Sequence, residues 1–308
     1  MSMEQNLSCL LTEQRNTASA GLDLKKTKEI LTLMNEEDQK VSRAVHDCLD
    51  EIEKTVDLAV DAIQRGGRLF YVGAGTSGRI GVLDAVECPP TFRTPPEMVQ
   101  GIIAGGNSAM FCAKEGAEDS VEGGARAMED VKLSKRDIVI GIAASGRTPF
   151  VIGALQFANK VGAASVALSC NPSSEIGSVA KISIETIVGP EILTGSTRLK
   201  SATAHKMVCN MISTTVMIKL GKVYENLMVD LHASNYKLYE RAKRIVHEVT
   251  NAKEDVIVEA LEKAEHDVKL AIVLIETGAS VEQAKERLAN ANGAVRQAIT
   301  STKNERSS

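Results

Sequence analysis

The amino-acid sequence predicts an α/β fold, in which a doubly wound, mostly parallel sheet of five strands lies between helices. Apolar runs alternate with helical stretches, and the runs are continuously apolar, which indicates strands covered on both faces. The strands are expected at 68–73, 98–106, 137–145, 164–170 and 181–189. The helices between them are expected at about 77–87, 107–131, 148–161 and 198–220. Ligands of such a fold bind at the carboxyl ends of the strands.

The segment before the sheet is predicted to form an N-terminal arm and one long helix. Asn35 precedes an acidic first turn and is expected to cap this helix. Apolar residues recur at steps of three and four as far as Ile63, and Gly66 then ends the pattern. We assign residues 1–57 to the arm and long helix.

A small helical domain is predicted at the C-terminal end, where the strand pattern disappears. Residues 238–300 indicate three or four short helices. Ser280 and Gln283 have the spacing of a capping box for the last of them. The sheet domain is therefore assigned to 58–236 and the helical domain to 237–308.

The composition argues against several classes of partner. The chain has 308 residues, of which 44% are hydrophobic and 25% charged, as in ordinary soluble proteins. A formal net charge of −4 provides no basic field for nucleic acid or an anionic membrane. No apolar run approaches membrane-spanning length, and the first residues lack a signal-peptide pattern. We expect a cytoplasmic protein that binds neither nucleic acid nor membrane.

The cysteines and histidines do not show the spacing of metal ligands. The six cysteines are scattered, without a CxxC pair and without metal-type pairing to the five histidines. Cys88 and Cys170 are conceivable catalytic thiols, but no histidine lies near either in sequence. Because small buried thiols are common in protein cores, we favour a structural role for both and expect no metal.

The first candidate ligand loop, residues 73–78, follows a strand, opens a helix and matches G-x-G-x-x-G. A dinucleotide site also needs an acidic residue at the end of the next strand, and none stands there. A Walker A loop is excluded because Arg79 stands where Gly-Lys-Ser/Thr is required. Thr76 and Ser77 therefore become candidates for binding a simpler phosphate group.

The second loop, with the sequence AASGRTP, repeats this arrangement after another predicted strand. Thr148 is a natural N-cap and Pro149 a natural first helical residue. Free backbone N–H groups and hydroxyls at a helix start can hold an anion without net positive charge, although turn chemistry alone selects similar residues. Two such loops favour a monophosphate ligand. The candidate phosphate-binding residues of this loop are Ser145, Gly146, Arg147 and Thr148.

A third segment, residues 194–203, follows the last predicted strand and starts a helix. Ser196 and Lys200 are candidate substrate contacts, with Arg198 as an alternative cation. Surface charges at a helix cap would look the same, so the sequence leaves both interpretations open.

Carboxylates in two segments are candidates for acid/base chemistry. Glu87 is expected to end the helix that the first loop begins, because two prolines follow Cys88. A helix rises ~15 Å over ten residues, so one sugar phosphate could touch both Ser77 and Glu87 only with difficulty, unless two subunits share the site. Glu115, Glu118 and Asp119 lie in an acidic segment, which is either a solvated turn or a source of a general acid/base, and the residues alone do not favour Glu118 over Glu115.

The chain resembles the N-acetylmuramic acid 6-phosphate etherase family, lyases of the sugar isomerase (SIS) fold, over nearly its whole length. The resemblance rests on long blocks rather than on one glycine loop. These blocks include YVGAGTSGRIGVLDAVECPPTF, IIAGGNSAMFCAKEGAEDSVEGG, GIAASGRTPFVIGAL and TGSTRLKSATAHKMVCNM.

The resemblance implies an SIS-type sandwich and a lyase that needs no cofactor. The family cleaves the D-lactyl ether of N-acetylmuramic acid 6-phosphate to N-acetylglucosamine 6-phosphate and D-lactate, during recycling of the cell wall. It also implies that Glu87 protonates the departing oxygen, that Glu118 is the second acid/base, and that the protein is a homodimer with composite active sites.

Three positions depart from the family pattern: Val86 replaces Ser, Arg93 replaces Gly, and Gln14 replaces Gly. None of them is a proposed proton carrier. Two other functions remain open, a non-catalytic sugar-phosphate sensor resembling the glucokinase regulatory protein and an aldose–ketose isomerase. The sensor would bind a partner without releasing lactate, and the isomerase would share the C2 proton removal but not the ether cleavage.

Overall fold

The computed structural model describes residues 10–230 and 236–305, the last five of these by their backbone alone. The chain divides into two compact units. The sheet unit comprises Met1–Val86 and Pro96–Ser213, and the helical unit comprises Glu87–Pro95 and Thr214–Ser308. Within the described ranges, no helix combines the length and apolar character needed to span a bilayer.

Five parallel strands form one sheet in the order β2-β1-β3-β4-β5, so the predicted α/β fold and its five-stranded sheet are confirmed. The second strand is shorter than predicted because Gly105 and Gly106, with φ of 85° and 71°, turn the chain. The strands are β1 (Leu69–Gly73), β2 (Val99–Ile103), β3 (Ile138–Ile142), β4 (Ala164–Ser169) and β5 (Ile182–Glu185).

Helices precede the sheet, connect its strands and make up the C-terminal part of the described chain. Those up to the end of the sheet are α1 (Thr27–His46), α2 (Leu49–Gln64), α3 (Gly75–Phe92), α4 (Val121–Asp130), α5 (Pro149–Val161) and α6 (Glu175–Val179). Those after it are α7 (Lys200–Lys219), α8 (Tyr236–Thr250), α9 (Glu254–Lys263), α10 (Val268–Thr277), α11 (Val281–Asn290) and α12 (Val295–Glu305).

The prediction of one long helix capped by Asn35 is wrong. The helix begins nine residues earlier, where the Lys26 N–H donates to Glu29 Oε2 at 2.7 Å. Asn35 lies inside α1, and its Oδ1 accepts a hydrogen bond from Gln39. The chain then leaves helical geometry at Cys48, with φ −110° and ψ 10°, so α1 and α2 are separate helices.

The predicted helix over about 107–131 is also wrong, because only 121–130 of that range is α-helical. Asn107–Met110 is a single 3₁₀ turn. Gly116 then has a φ of 71°, which is outside helical geometry. Helix α4 begins only after Ser120, whose side chain accepts a hydrogen bond from the Gly123 N–H at 2.9 Å.

The prediction that helix α3 ends before its two prolines is wrong. The helix continues through Pro89 and Pro90 to Phe92. The fixed φ of proline is compatible with a helix, and the Arg93 N–H donates to Pro89 O at 2.9 Å. The helix ends at Phe92, because the next residue, Arg93, has a left-handed φ of 51°. Glycine adopts that conformation without strain, whereas a residue with a Cβ does not.

Helices cover both faces of the sheet, as the continuously apolar strands predict. On one face, Phe70 of β1 shares a core with Met128 of α4 and Phe150 of α5. On the other face, Tyr71 is fully buried, and its hydroxyl donates to the backbone oxygen of Cys209 in α7 at 3.2 Å. The loops at the strand ends are therefore fixed by two packed layers.

The helical unit has its own apolar core, drawn from α8 to α12. Five helices are described after residue 235, which is more than the three or four predicted. The capping box of α11 is confirmed, because the Ser280 N–H donates to Gln283 Oε1 at 3.0 Å and the Gln283 N–H donates to Ser280 Oγ at 3.3 Å. Gly278, with a φ of 65°, ends α10 in left-handed geometry.

Candidate active site

The two predicted phosphate loops leave the same edge of the sheet side by side. Gly73, the last residue of β1, is in register with Ile142, the last residue of β3. It is also in register with Ile103 at the end of β2. The carboxyl ends of three neighbouring strands therefore meet at this edge, which is where ligands bind in open α/β sheets.

The first loop turns directly from β1 into the first turn of α3, which carries Thr76 and Ser77. A Cβ on Gly78 would lie 2.8 Å from Gly73 O, so the turn is tight enough to require glycine there. Thr76 and Ser77 are half-buried. The backbone N–H groups of a first helical turn have no acceptor within the helix, so they are suited to an anion.

The second loop has a similar geometry around Gly146. Its φ is 74°, and a Cβ there would lie only 2.4 Å from Ser174 Cβ. Ser145 Oγ accepts a hydrogen bond from the Arg147 N–H at 3.3 Å. Thr148 does occupy the N-cap position of α5, but its side chain makes no capping hydrogen bond, so that part of the prediction is wrong. Its hydroxyl is not used by the helix.

Two further features of the second loop fix the start of α5 and the direction of the Arg147 side chain. Pro149 is the first residue of α5, as predicted. Arg147 Nε donates to Glu175 Oε1 at 3.0 Å. Glu175 is the first residue of α6, so the Arg147 guanidinium is held towards that helix.

A cavity of about 230 Å³ adjoins the first loop and contains one of the two predicted catalytic carboxylates. This carboxylate is Glu118, and its backbone is fixed to the first turn of α5, because the Phe150 N–H donates to Glu118 O at 2.9 Å. The structure therefore places Glu118 between the starts of α3 and α5. The polar side chains and glycines that line the cavity are Gly75, Arg79, Lys114, Glu115, Gly116 and Glu118.

Arg79 lines this cavity and is held by two backbone carbonyl groups. Its Nη2 donates to Ala109 O at 2.7 Å and its Nε to Met110 O at 3.0 Å. Lys114 Nζ donates to Gly105 O at 3.0 Å. These bonds hold the irregular segment before α4 against α3. Sequence reasoning used Arg79 only to exclude a Walker loop and missed this role, which depends on residues about 30 positions away.

In the third predicted segment, residues 194–203, the candidate cation Lys200 is paired with a carboxylate inside the protein. Ser196 is half-buried, whereas Lys200 is buried and its Nζ lies 2.6 Å from Glu37 Oε2. Burial would raise the pKa of Glu37, but hydrogen bonds from Lys200 and Lys40 bring it below its ordinary value. Glu191 accepts the backbone N–H of Lys200 at 3.0 Å. Lys200 thus joins α7 to α1, and its predicted contact with the substrate stays a prediction.

The two predicted carboxylates have different surroundings. Glu118 is exposed and belongs to the sheet unit. Glu87 is also exposed and is the first residue assigned to the helical unit. Cys88, which was considered as a thiol candidate, is buried. Both carboxylates can therefore be reached by a substrate, whereas the thiol of Cys88 is shielded from it.

Sequence reasoning missed a buried histidine beside the first loop. The His205 Nδ1 lies 3.4 Å from Ser77 Oγ, and its Nε2 lies 3.5 Å from Cys170 Sγ. Burial lowers the pKa of His205 to about 4 and raises the pKa of Cys170 to about 11, so both groups are neutral at physiological pH. Cys170 is fully buried and protonated, which makes it unsuitable as a nucleophile.

These features define a sugar-phosphate module of the SIS class. Residues 119–214 match the model of the SIS domain, and residues 51–159 match the N-terminal SIS domain of the glucokinase regulatory protein. Residues 225–270 match the C-terminal lid domain of that protein. More specifically, the chain belongs to the N-acetylmuramic acid 6-phosphate etherase family.

The relatives that show this family membership align along almost the whole chain. N-acetylmuramic acid 6-phosphate etherase 2 of Lactiplantibacillus plantarum is 55% identical over 96% of this chain and 99% of its own length. N-acetylmuramic acid 6-phosphate etherase of Bacillus subtilis is 53% identical over 97% of this chain and 98% of its own length. Among solved structures, a phosphoheptose isomerase from Neisseria gonorrhoeae has a TM-score of 0.49 and 14% identity, covering 62% of this chain and 98% of its own.

Proposed function

We propose that this protein is a lyase that cleaves the D-lactyl ether of N-acetylmuramic acid 6-phosphate. The products are N-acetylglucosamine 6-phosphate and D-lactate, with one water consumed. Relatives that carry this etherase name share 51–55% of their residues with the chain. The structural observation that carries the proposal is Glu118, a carboxylate in a cavity beside the start of α3, where the first helical turn is suited to a phosphate.

The phosphate is proposed to lie in the cradle formed by the two loops. The first turn of α3 supplies backbone N–H groups without helical acceptors, and the hydroxyls of both loops supply further donors. The first turn of α5 adds no free N–H group, because it begins with Pro149 and the Phe150 N–H donates to Glu118 O. The Thr148 hydroxyl supports this assignment because the helix does not use it. The proposed ligands are Thr76, Ser77, Ser145, Gly146, Arg147 and Thr148, with Ser196 and Lys200 from the third segment.

The proposed reaction begins with ring opening, which exposes an aldehyde at C1 and makes the C2 proton removable. One carboxylate takes the C2 proton while the C3 ether oxygen departs with a proton from a carboxylic acid, in a syn elimination. Water then adds at C3 of the unsaturated aldehyde, and its proton restores C2–H through the same acid/base pair. No cofactor is needed, because the aldehyde itself delocalises the developing negative charge.

Glu87 and Glu118 are proposed to be these two groups, with Glu87 as the acid that protonates the departing oxygen. We further propose a homodimer in which each active site is composite. Leu83 and Val86 support this proposal, because they lie one turn apart on α3 next to Glu87 with 49% and 57% of their surface exposed. Exposed apolar residues on one helix face are typical of a contact surface between subunits.

The proposed compartment is the cytoplasm. A sugar phosphate does not cross membranes unaided, so an enzyme that consumes one is expected where the phosphate was attached. A sugar-phosphate sensor and an aldose–ketose isomerase were the alternatives; the etherase names of the close relatives do not favour them. Ligand-dependent capture of a partner without D-lactate release would support a sensor instead.

The test is to incubate the purified protein with N-acetylmuramic acid 6-phosphate and to assay D-lactate enzymatically. The wild type is expected to release one D-lactate per sugar. Glu87→Ala is expected to bind the substrate but to lose most of its turnover, and Ser145→Ala to bind it more weakly. A folded wild-type protein that binds the phosphate sugar without releasing D-lactate would refute the etherase proposal.

A further inference from the structure

A single buried imidazole connects two loops at the ligand-binding edge of the sheet. His205 extends from the second turn of α7 and contacts Ser77, after β1, through Nδ1, and Cys170, after β4, through Nε2. In the sheet, β3 lies between these two strands. His205 and Cys170 are both fully buried, whereas Ser77 of the first loop is half-buried.

The direction of hydrogen bonding through the ring decides what the Ser77 hydroxyl can do. A neutral imidazole donates from one nitrogen and accepts at the other. If Nδ1 accepts from Ser77, the serine proton is used inside the protein. If Nδ1 donates to Ser77 Oγ, that proton remains available for an acceptor in the cradle. Phosphate oxygens accept hydrogen bonds and do not donate them when ionised, so they need the second arrangement.

Cys170 can set this direction. Its thiol keeps its proton, since burial raises its pKa to about 11. The S–H group can donate to His205 Nε2, which then places the ring hydrogen on Nδ1. The neighbouring Thr186 hydroxyl, 3.4 Å from Cys170 Sγ, donates its own proton to Ser169 O at 3.1 Å, so towards Cys170 it can only accept. The S–H group therefore has two acceptors within reach, Thr186 Oγ1 and His205 Nε2, and donation to Nε2 is the arrangement that leaves the ring hydrogen on Nδ1.

We propose that His205 is a positioning residue of the phosphate cradle, whose Nδ1–H donates to Ser77 Oγ and so directs the Ser77 hydroxyl proton at the phosphate of the substrate. This inference rests on the proposed function only in taking the ligand to be a sugar phosphate. The chain of hydrogen bonds runs from Cys170 through His205 to Ser77 and ends on the phosphate. No proton is transferred along it, and the ring stays neutral throughout.

The test uses variants of similar size that keep one ring nitrogen at a time. In His205→Asn, the amide takes the place of Nδ1 and can still donate to Ser77. In His205→Gln, the amide takes the place of Nε2 and the donor to Ser77 is lost. Ser77→Ala and the double variant Ser77→Ala with His205→Gln complete the cycle. The probe is N-acetylglucosamine 6-phosphate, with binding measured by calorimetry and folding checked by thermal melting.

His205→Asn is expected to bind the probe within about twofold of the wild type. His205→Gln and Ser77→Ala are each expected to bind it about tenfold more weakly, which is the usual loss for one hydrogen bond to a charged group. The double variant should be no weaker than Ser77→Ala alone. In the cleavage assay, His205→Gln should raise KM and leave kcat within about twofold.

Additive losses in the double variant, or equal losses in His205→Asn and His205→Gln, would overturn the positioning role. If His205→Gln does not fold, Cys170→Ala tests the same chain, because it removes the donor to Nε2; an unchanged affinity there would contradict the proposal. A wild type that binds the probe but releases no D-lactate would refute the etherase function and leave this inference standing. A wild type that does not bind the probe would refute both.

Discussion

The Lys200 ammonium lies 2.6 Å from Glu37 Oε2, and both side chains are almost completely buried. Glu37 also accepts a hydrogen bond from Lys40 at 2.6 Å through its other oxygen. This pair connects α7, at the end of the third predicted ligand segment, to α1 of the N-terminal arm. Lys200 therefore has a structural partner in the absence of any substrate.

Replacing Lys200 tests whether it serves the fold or the substrate. Lys200→Met leaves Glu37 buried with Lys40 as its remaining cation, so we expect the free energy of unfolding to fall by roughly 3 kcal/mol. Urea denaturation measures this loss. The double variant Glu37→Leu with Lys200→Met should recover most of it, since no unpaired charge stays buried. An unchanged stability together with a raised KM would instead identify Lys200 as a substrate contact.

The cavity beside the first loop contains two glutamates, of which only Glu118 is proposed to transfer protons. Glu118→Gln is expected to lower kcat by 10²–10⁴-fold, because the amide cannot exchange a proton. Glu115→Gln is the matched control, since it lines the same cavity, and its kcat is expected to stay within about threefold of the wild type. Steady-state D-lactate release measures both. A larger loss in Glu115→Gln would exchange the two assignments.

Gly146 is expected to be required both for its backbone conformation and for space. Gly146→Ala places a methyl group 2.4 Å from Ser174 Cβ at a φ of 74°. Gly189→Ala is the control, because its φ is 72° but nothing lies within 4 Å of the added Cβ. We expect Gly189→Ala to lose about 1 kcal/mol of stability and Gly146→Ala to lose roughly 1–3 kcal/mol more, with a raised KM. Equal losses would contradict the steric argument.

The buried His205 should make stability depend on pH in a defined direction. Its pKa is lowered by burial to about 4, so between pH 6.5 and pH 4 the unfolded chain binds more protons than the native one. Stability therefore falls with falling pH across this window, by roughly 3 kcal/mol in total. His205→Asn lacks the titrating group. Urea unfolding at several pH values should show the wild type losing that amount relative to the variant, and a constant difference would refute the burial argument.

The sheet could be predicted from the sequence because both of its faces are covered. Continuous apolar runs such as the one ending at Gly73 have few alternatives to a buried parallel strand. The glycine at 78 and the Pro149 helix start were likewise visible, since tight turns and first helical turns restrict the residue types that fit. The positions of the two phosphate loops follow from those local rules.

The errors lie where tertiary contacts override local pattern. The acidic segment around Glu118 has the composition of a helix, yet Gly116 and the bonds from Arg79 hold it in an irregular path. The ion pair of Glu37 and the contact of His205 with Ser77 join residues more than 100 positions apart. No spacing rule within the chain reports such pairs, so the sequence could suggest Lys200 as a ligand but could not show its buried partner.

In the proposed reaction the bond between C3 of the sugar and the ether oxygen is broken, and water supplies the new hydroxyl at C3. Turnover of N-acetylmuramic acid 6-phosphate in H₂¹⁸O, followed by mass spectrometry of both products, tests this directly. We expect one ¹⁸O at C3 of N-acetylglucosamine 6-phosphate and none in the hydroxyl of D-lactate. Label in the D-lactate hydroxyl, with C3 unlabelled, would contradict the proposal.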